Sequence, residues 1–370
     1  MSENKRRILQ RDRNPHLFRP IELRSVTVKN RVMMSPMCQY SATGGMPEEW
    51  HHVHLCSRAV GGAGIVFTEA THVSPEGRIT PHCLGIWNDD QRDAFRKTAA
   101  FIAEQGAVPA MQIGHAGRKA STSRPWEGTN SLSPSDPDGW QTIAPTEQPY
   151  ADWYPPAAMD SDMIERVMAD FTAAARRAYD AGFKLLEIHA AHGYLGHSFL
   201  SPLSNDRSDD YGGSLEHRAR FLLETLDAVR ASWPEDLPLF LRLSCTDWVD
   251  GGLTVDDIVQ VTGWVRDRGD VDLIDCSSGG NDPRQQIPIH PGYQVPLAER
   301  VKRETGMRTS AVGLLHSPDM CEEIIANGRA DLIVLGRALL ADPYWPLHAA
   351  TKLRAENLDW PIQYERSNIF

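Results

Sequence analysis

One stretch of the sequence combines the pattern of a buried strand with a cluster of polar side chains: Leu185-Leu186-Glu187-Ile188-His189-Ala190-Ala191-His192-Gly193-Tyr194. Imidazole and phenol groups hold substrate oxygens and move protons near neutral pH. A strand that delivers them at its C-terminal end is typical of an active site in a barrel or an open sheet. One histidine alone would indicate only a local hydrogen bond, but two histidines and a tyrosine favour a functional site.

The composition describes a large acidic chain of 370 residues with a formal net charge of −11. Its 41% hydrophobic content is enough for one large core, and α/β barrels reach this length as a single unit. The acidic balance argues against partners such as nucleic acid or an anionic membrane, and no apolar run approaches transmembrane length.

The N-terminus and the cysteines predict a cytoplasmic protein. Residues 1–18 are polar and basic and lack the apolar segment of a secretory signal. The six cysteines are scattered and none form a C-x-x-C motif, so zinc-ribbon and iron–sulfur sites have no support and reduced thiols are expected.

Short apolar strands alternate with helical stretches along the whole chain. The predicted strands are Arg31–Ser35, Ile65–Thr68, Val108–Ile113, Leu185–His189, Leu239–Ser244, Leu273–Cys276, Arg308–Val312 and Leu332–Leu335. The predicted helices are Trp50–Val60, Gln91–Gln105, Ser161–Ala181, Leu215–Ser232, Thr254–Arg268, Pro296–Glu304 and Pro318–Asn327. This alternation predicts an α/β protein, a (β/α)8 TIM barrel that forms a single domain over residues 1–370. An open doubly wound sheet would carry G-x-G-x-x-G after its first strand, and that motif is absent.

One connection is much longer than the others. The segment between Gly114 and Asp160 is rich in Gly, Pro, Trp and Ser and has little periodicity. Loops of this length are usually functional. Because it follows the third strand, we expect it to lie over the active face as a lid or a pocket wall.

Strand alternation predicts which side chains point into the barrel. Gln112, then Glu187 with His189, then Arg242 occupy the polar faces of three consecutive strands. An arginine inside a barrel is costly unless it is paired or bonded to a ligand. Two interpretations hold together: Glu187 is a structural partner of Arg242, and Gln112 with Arg242 donates hydrogen bonds to a planar, acceptor-rich ring.

The seventh and eighth strands end in glycine turns, at Gly313 and at Gly336-Arg337. In barrels the loops after these strands often bind phosphate, because glycine lets the backbone approach and arginine adds a charge-assisted bond. The alternative is an ordinary helix entry with a surface arginine. No lysine ends a predicted strand, which disfavours a Schiff-base or pyridoxal-phosphate barrel. Flavin mononucleotide (FMN) fits a phosphate tail combined with a ring that needs donors.

Several motifs together resemble the old yellow enzymes, which are FMN-dependent ene-reductases built on a (β/α)8 barrel. The motifs are Ser35-Pro36-Met37-Cys38-Gln39-Tyr40, Glu69-Ala70-Thr71, Gln112-Ile113-Gly114-His115-Ala116-Gly117-Arg118-Lys119, His189-Ala190-Ala191-His192-Gly193-Tyr194, Asp206-Arg207 with Asp210-Tyr211-Gly212-Gly213-Ser214, and Gly336-Arg337. The cysteine after Pro-Met, the paired histidines and the C-terminal Gln363-Tyr364-Glu365-Arg366 resemble the bacterial thermophilic-like subgroup in particular.

The resemblance implies a tightly bound, non-covalent FMN and the residues that hold it. The implied flavin contacts are Ser35, Pro36, Met37, Cys38, Ala70, Gln112, Arg242, Gly313, Gly336 and Arg337. It places Gln112 and Arg242 at the pyrimidine end of the ring and the last three residues at the phosphate. Cys38 is expected to tune the flavin and to contact substrate; the alternative is a packed thiol that behaves as a small hydrophobe.

The resemblance also implies a reaction on activated alkenes, which are α,β-unsaturated aldehydes or ketones, maleimides and nitroalkenes. His189 and His192 are expected to donate hydrogen bonds to the substrate oxygen, which polarises the alkene. Tyr194 is expected to give a proton to the α-carbon, and Tyr40 to cap the pocket as a further donor. NADPH or NADH would supply the electrons in a separate half-reaction, with ping-pong kinetics.

The C-terminal arm, about residues 360–370, resembles the family's arm that reaches into a neighbouring active site. It implies a homodimer or a dimer of dimers in which Arg366 contacts the neighbour's substrate. The alternative is a frayed surface tail, and the ending Ser367-Asn368-Ile369-Phe370 departs from the family's short ending.

Two other functions remain open from the sequence. One is a metal-dependent barrel hydrolase or aldolase that uses His189 and His192 as ligands, and the other is a non-enzymatic flavin-binding protein. The series Trp50-His51-His52-Val53-His54 also resembles a metal cluster, but no matching carboxylate or cysteine set accompanies it. We therefore expect no metal and interpret this series as packing and local hydrogen bonds around the first helix.

Overall fold

The computed structural model describes residues 14–358 and 360–367. The strands in this part of the chain are β1 (Ile21–Leu23), β2 (Val26–Val28), β3 (Val32–Met34), β4 (Ile65–His72), β5 (Val108–Gly114), β6 (Ile143–Ala144), β7 (Ala157–Ala158), β8 (Leu185–Ala190), β9 (Leu239–Ser244), β10 (Leu273–Ser277), β11 (Thr309–Ala311) and β12 (Leu332–Leu335). Eight of them, β3, β4, β5 and β8 to β12, are parallel and close into a barrel in chain order. The predicted (β/α)8 fold is confirmed.

Helices pack around the barrel in the same described part of the chain. They are α1 (Glu49–Val60), α2 (Asp89–Glu104), α3 (Ser161–Asp180), α4 (Leu195–Leu200), α5 (Leu215–Arg230), α6 (Val255–Arg268), α7 (Val295–Thr305), α8 (Pro318–Ala326), α9 (Arg337–Ala341) and α10 (Trp345–Leu353). The predicted helices are all present. The sequence did not indicate α4, because each of its six residues is buried and no polar face marks its period.

The apolar core has two layers, as strand alternation predicts. In β9, Leu239, Leu241 and Leu243 pack outward against the helices, whereas Phe240 points into the barrel. Arg242 shares the inward face with Phe240, since successive side chains point to opposite sides of a strand. The alternation therefore brings the polar side chains of neighbouring strands to the barrel interior.

A short hairpin that the sequence did not indicate closes the N-terminal end of the barrel. Strands β1 and β2 pair antiparallel, and they place Ile21, Leu23 and Val28 against inward residues such as Phe67 and Phe240. Three-residue strands are too short to show a periodic pattern. Because this end is filled with apolar side chains, the polar groups lie at the opposite end, which is the active face of such barrels.

The long connection between β5 and α3 folds over that face. It contains the 3₁₀ turns Gly117–Lys119 and Pro125–Glu127 and the two-stranded pair β6–β7. The ring of Trp126 in this segment lies edge-on to Tyr40, with ring centroids 5.9 Å apart. The expected pocket wall is thus in contact with a predicted pocket residue. No helix of the described residues is both long and apolar enough to cross a bilayer.

Candidate active site

The register of four neighbouring strands brings the predicted polar side chains together. Gln112 lies opposite Glu187, His189 lies opposite Arg242, and Arg242 lies opposite Asp275. All five side chains are buried. Since parallel strands hold their partners side by side, these residues form one continuous polar layer across the barrel, which we call the polar floor (Gln112, Glu187, Arg242 and Asp275).

The partner of Arg242 in the polar floor is Asp275, and the prediction that Glu187 pairs with it is wrong. Arg242 Nε lies 3.1 Å from Asp275 Oδ2, and the Ser310 hydroxyl donates to Asp275 Oδ1 at 2.6 Å. Glu187 Oε1 instead accepts a hydrogen bond of 2.7 Å from Gln112 Nε2. The register decides this, because it sets Asp275 directly beside Arg242 and Gln112 directly beside Glu187.

Glu187 has the properties of a neutral carboxylic acid. Two buried carboxyl groups, Glu187 and Asp275, share the single positive charge of Arg242, and Asp275 contacts that charge directly. Among the described residues, Glu187 Oε2 has no hydrogen-bond partner. Burial, and then the charge of Asp275, raise the pKa of Glu187 well above its usual range.

The two histidines form a hydrogen-bonded chain above the polar floor. His189 Nδ1 accepts the Ala191 N–H at 3.2 Å, so its proton is on Nε2, which lies 3.3 Å from His192 Nδ1. His192 Nε2 lies 2.6 Å from the Ser277 hydroxyl. Burial, and then the charge of Arg242, lower the pKa of both histidines well below the usual range. Both imidazoles are therefore neutral near pH 7, and each carries one N–H that can be donated.

Two loops hold His192 in place. Its backbone is left-handed, with φ of 60°, and its N–H donates to Ser244 Oγ at 2.9 Å. Lys119 Nζ donates to the carbonyl oxygens of His192 at 2.9 Å and of Gly280 at 2.7 Å, which ties the two loops together. Burial lowers the pKa of Lys119 to about 7. Ser277 and Lys119 were missed as functional residues; Lys119 ends the quoted Gln112 motif, but its partner lies 73 positions away.

Tyr194 and Tyr40 lie on the same side of the pocket. The ring of Tyr194 is edge-on to His189 at 5.0 Å between centroids, and Lys119 Nζ is 5.3 Å from the Tyr194 ring. Burial raises the pKa of Tyr194 well above its usual range and also raises the pKa of Tyr40. Both phenols therefore keep their protons near neutral pH. Cys38 packs with both rings against the buried Cys83.

A cavity of about 380 Å³ opens at the ends of β11 and β12. Its lining includes Gly313, Gly336 and Arg337 together with Tyr293 and Gln294. Gly313 has a φ of 125°, which only glycine adopts without strain. A phosphate requires such bare backbone and a nearby cation, so the lining fits the phosphate end of FMN.

The remaining predicted flavin contacts connect this cavity to the polar floor. A side chain at Gly336 would lie 3.6 Å from Met37 Sδ and 3.8 Å from Ser35 Cβ. Arg242 Nη2 is 3.5 Å from Ser35 Oγ, and Ala70 lies opposite Gln112 in the barrel. Pro36 and Cys38 follow on the same loop. The predicted contacts thus form a continuous surface from the phosphate-type cavity to the histidines.

The C-terminal segment lies apart from these residues. Arg366 is exposed in the 3₁₀ segment Ile362–Ser367, and Tyr364 of that segment lies 6.0 Å from Tyr344 between ring centroids. Residues 368–370 of the predicted arm lie outside the described residues. Within one chain, Arg366 is therefore not brought to the pocket.

The hydrogen bonds of His189 and His192 bear on the metal-site alternative. In residues 14–358 and 360–367, no group of three or more His, Cys, Asp or Glu side chains is placed to hold a metal ion. His189 and His192 bond instead to each other, to the backbone and to Ser277.

Comparison with known proteins gives a consistent set of relatives. The model of the "NADH:flavin oxidoreductase / NADH oxidase family" matches residues 16–356. The NADPH dehydrogenase of Geobacillus thermodenitrificans (strain NG80-2) is 46% identical over 356 residues, covering 95% of this chain and 98% of that protein. The NADPH dehydrogenase of Bacillus subtilis (strain 168) is 45% identical over 352 residues, with coverages of 95% and 98%.

Solved structures share the fold over nearly the whole chain. Morphinone reductase in complex with tetrahydroNAD superposes with a TM-score of 0.76 and 26% identity, covering 93% of this chain and 92% of that one. The old yellow enzyme homologue from Zymomonas mobilis gives a TM-score of 0.75 and 26% identity, with coverages of 91% and 93%. A 2-naphthoyl-CoA reductase gives a TM-score of 0.82 and 28% identity over 91% of this chain, which spans about half (52%) of that protein.

Exchange of Glu187 for glutamine tests the neutral acid in the polar floor. Because the pKa of Glu187 is raised in the folded state, protonation of this residue stabilises the folded protein. This stabilisation is complete below the unfolded-state pKa, near 4.5, and is lost as the pH rises toward the folded-state pKa. Glutamine keeps the oxygen that accepts from Gln112 but does not titrate. We expect the free energy of unfolding of the wild type to fall relative to Glu187→Gln by about 1.4 kcal/mol per pH unit across that window.

Urea unfolding at a series of pH values measures this difference, with the surface exchange Glu147→Gln as the matched control. Parallel curves for the wild type and Glu187→Gln would show that Glu187 is ionised in the folded protein.

Proposed function

The chain belongs to the NADH:flavin oxidoreductase / NADH oxidase family, and we propose that it is an FMN-dependent ene-reductase that reduces the C=C bond of activated alkenes with electrons from NADPH or NADH. The membership confirms the resemblance to the old yellow enzymes. The observation that carries the finer proposal is the neutral histidine pair, which lies beside a protonated tyrosine and directly above the polar floor. The single-domain organisation of residues 1–370 and the cytoplasmic location stay predictions.

We propose that the surface from Ser35 to Arg337 holds FMN. Gln112 and Arg242 would bind the pyrimidine end of its ring, and Gly313, Gly336 and Arg337 its phosphate. Gln112 uses one of its two N–H groups on Glu187 and keeps the other for a ligand. Ser35, Pro36, Met37, Cys38 and Ala70 would line the ring. When bound, FMN supplies the redox chemistry, accepting electrons from the nicotinamide and passing them to the alkene.

The histidines provide two donors for one substrate oxygen. Because His189 and His192 are neutral, they offer N–H groups to the substrate oxygen. Charged imidazolium groups would bind an anionic product more tightly and delay its release. The Nε2–H of His189 points at His192 Nδ1, and that of His192 points at the Ser277 hydroxyl, so a substrate oxygen would take these N–H groups over. Donors fixed in advance at the oxygen stabilise the negative charge that develops there as the alkene is reduced. The Ser277 hydroxyl and the Lys119 ammonium keep the His192 ring and backbone in place for this role.

Tyr194 has the properties of the proton donor. Its raised pKa keeps the phenol protonated over the physiological range, which suits a general acid. The charge of Arg242 favours the phenolate that remains after the proton has left. Tyr40, which packs against the same cluster as Tyr194, would donate a further hydrogen bond to the substrate.

The proposed function is tested by stopped-flow spectroscopy of the purified protein. We expect the bound flavin to be reduced by NADPH or NADH under anaerobic conditions and to be reoxidised by cyclohexenone or a maleimide. Reduction without reoxidation by any activated alkene would favour a non-enzymatic flavin protein. A colourless protein whose activity depends on a metal ion would favour the barrel hydrolase or aldolase.

Removal of both histidine side chains tests the oxygen-binding role. The double exchange of His189 and His192 for alanine should weaken the binding of phenols and slow alkene turnover by about 100-fold or more, because two charge-stabilising donors are lost. FMN should stay bound, since the polar floor is unchanged. Phenol titration of the flavin absorbance measures the affinity, and an affinity equal to that of the wild type would contradict the role.

Exchange of Tyr194 for phenylalanine separates the two half-reactions. The oxidative half-reaction with an alkene should slow by about 10²–10⁴-fold, since a positioned general acid contributes that much. The reductive half-reaction with NADPH needs no proton on carbon and should change little. Stopped-flow measurement of the reductive and oxidative half-reactions tests this prediction. Equal slowing of the two half-reactions would show that Tyr194 has another role.

The assembly proposal concerns the C-terminal arm. We propose a homodimer or a dimer of dimers in which Arg366 reaches the active site of a neighbouring chain. The exposed position of Arg366, away from its own pocket, is compatible with that arrangement. Arg366→Ala should then weaken substrate binding by about tenfold, as loss of a charged hydrogen bond does, while FMN is retained. Unchanged steady-state KM values would indicate a surface tail.

A further inference from the structure

The histidine series at the start of α1 contacts the loop that carries Cys38 and Tyr40. This loop, residues 36–42, has no regular secondary structure, and Tyr40 within it has a left-handed backbone with φ of 52°. Hydrogen bonds within the loop join Gln39 to Met37 and Ser41. Contacts with α1 and β4 hold it from outside.

Glu69 of β4 is the centre of these contacts. Its Oε2 accepts the Gln39 N–H at 2.6 Å, and its Oε1 lies 3.2 Å from His51 Nε2. Both Glu69 and His51 are buried. β4 has one more residue than β5 between the pairs Phe67–Ala110 and Ala70–Gln112, so the strand bulges where Glu69 lies. Bulges re-aim side chains beside active sites.

The hydrogen bonds of His51 fix its tautomer. His51 Nδ1 accepts the Glu48 N–H at 2.9 Å, so the ring proton is on Nε2 and is donated to Glu69. Burial raises the pKa of Glu69, and the N–H groups of His51 and Gln39 oppose that shift because they stabilise the anion. This buried anion has no role in the proposed reaction.

A second contact from α1 supports the same loop. The indole N–H of Trp50 donates to Gln39 Oε1 at 3.0 Å, and Gln39 Nε2 donates to the Met37 carbonyl at 2.8 Å. Gln39 is therefore held through its backbone by Glu69 and through its side chain by Trp50. The residues on either side of Gln39 are Cys38 and Tyr40.

We propose that Glu69 and His51 are a positioning pair that fixes Cys38 and Tyr40 at the pocket, and that the Glu69 carboxylate, bonded to the N–H of the neighbouring Gln39, keeps Cys38 unreactive toward electrophiles. The inference goes beyond the proposed function, because it concerns the state of one pocket wall and holds whatever the alkene. Among the described residues, the titratable groups that interact electrostatically with Cys38 include Cys83, Glu69, Tyr40 and Tyr194. None of them is a cation that would stabilise a thiolate.

The electrostatic surroundings of Cys38 agree with this assignment. A hydrogen bond with the Cys83 thiol, then burial, then the charge of Glu69, raise the pKa of Cys38 well above its usual range. The thiolate is the reactive form of cysteine, so Cys38 is protected from alkylation and oxidation although it is only partly buried. The pair would thus let a polarisable sulfur contact a flavin and an electrophilic alkene without forming an adduct with the alkene.

The experiment measures alkylation of Cys38 in the flavin-loaded protein by iodoacetamide at one mildly alkaline pH. Peptide mass mapping separates Cys38 from the buried cysteines. Glu69→Asp keeps the charge but shortens the side chain by one methylene, and Glu69→Gln keeps the length but removes the charge. The matched control is Glu49→Gln, which removes an exposed carboxylate at the start of α1, the helix that carries His51.

We expect the control to react at the rate of the wild type. Glu69→Asp should react several-fold faster, because the loop is released while the charge remains. Glu69→Gln should react at least about tenfold faster than Glu69→Asp, since removal of a nearby like charge lowers a pKa by about one unit or more.

Two results would overturn the proposal. Equal rates for Glu69→Asp and the wild type would show that the carboxylate does not hold the loop. Equal rates for Glu69→Gln and Glu69→Asp would show that its charge does not govern the thiol. If Glu69→Gln does not fold, the alkylation rate of Glu69→Asp still tests the positioning role. The alkylation assay does not depend on alkene reduction, so it tests this inference separately from the proposed function.

Discussion

The ion pair of Arg242 with Asp275, buried in the barrel, is the interaction on which the rest of the site depends. A guanidinium in this position needs a counter-charge, and Asp275 supplies it from the neighbouring strand. Once that pair is formed, a second carboxylate at Glu187 has no cation of its own, and the proton on Glu187 restores neutrality. The same positive charge also helps to keep His189 and His192 unprotonated. Burial is the largest cause of all three pKa shifts; Arg242 adds to it for the two histidines, and Asp275 adds to it for Glu187.

The loops over the barrel depend on one another in the same way. His192 adopts a left-handed backbone that a histidine does not prefer, and it is kept there by Ser244 and Lys119. Tyr40 is left-handed as well, and its loop is held by Gln39, which bonds to Glu69 and Trp50. In both loops the strained residue is the one that faces the pocket. The surrounding hydrogen bonds therefore offset a local cost at the place where side-chain direction matters.

Much of this arrangement follows from the sequence, and the remainder has physical reasons for being hidden. The eight barrel strands are apolar runs, and the period of two places Gln112, Glu187 and Arg242 on the inward faces. The choice between Glu187 and Asp275 as the partner of Arg242 depends on strand register, which a single sequence does not encode locally. The contact of Lys119 with His192 joins two loops whose left-handed residues have no sequence signature. For His51 the sequence predicts packing and local hydrogen bonds but not the partner, because Glu69 lies on another element and is aimed by a bulge.

The hairpin β1–β2 has a consequence for how the reactants reach the centre of the molecule. Its apolar side chains Ile21, Leu23 and Val28 fill one end of the barrel, which leaves the opposite end for access to the histidines. In the proposed reaction, the electron donor and the electron acceptor would then bind through the same opening in turn. A large excess of either would delay the other, and turnover would be fastest at balanced concentrations. The apolar packing at one end of the barrel thus determines the route of entry at the other end.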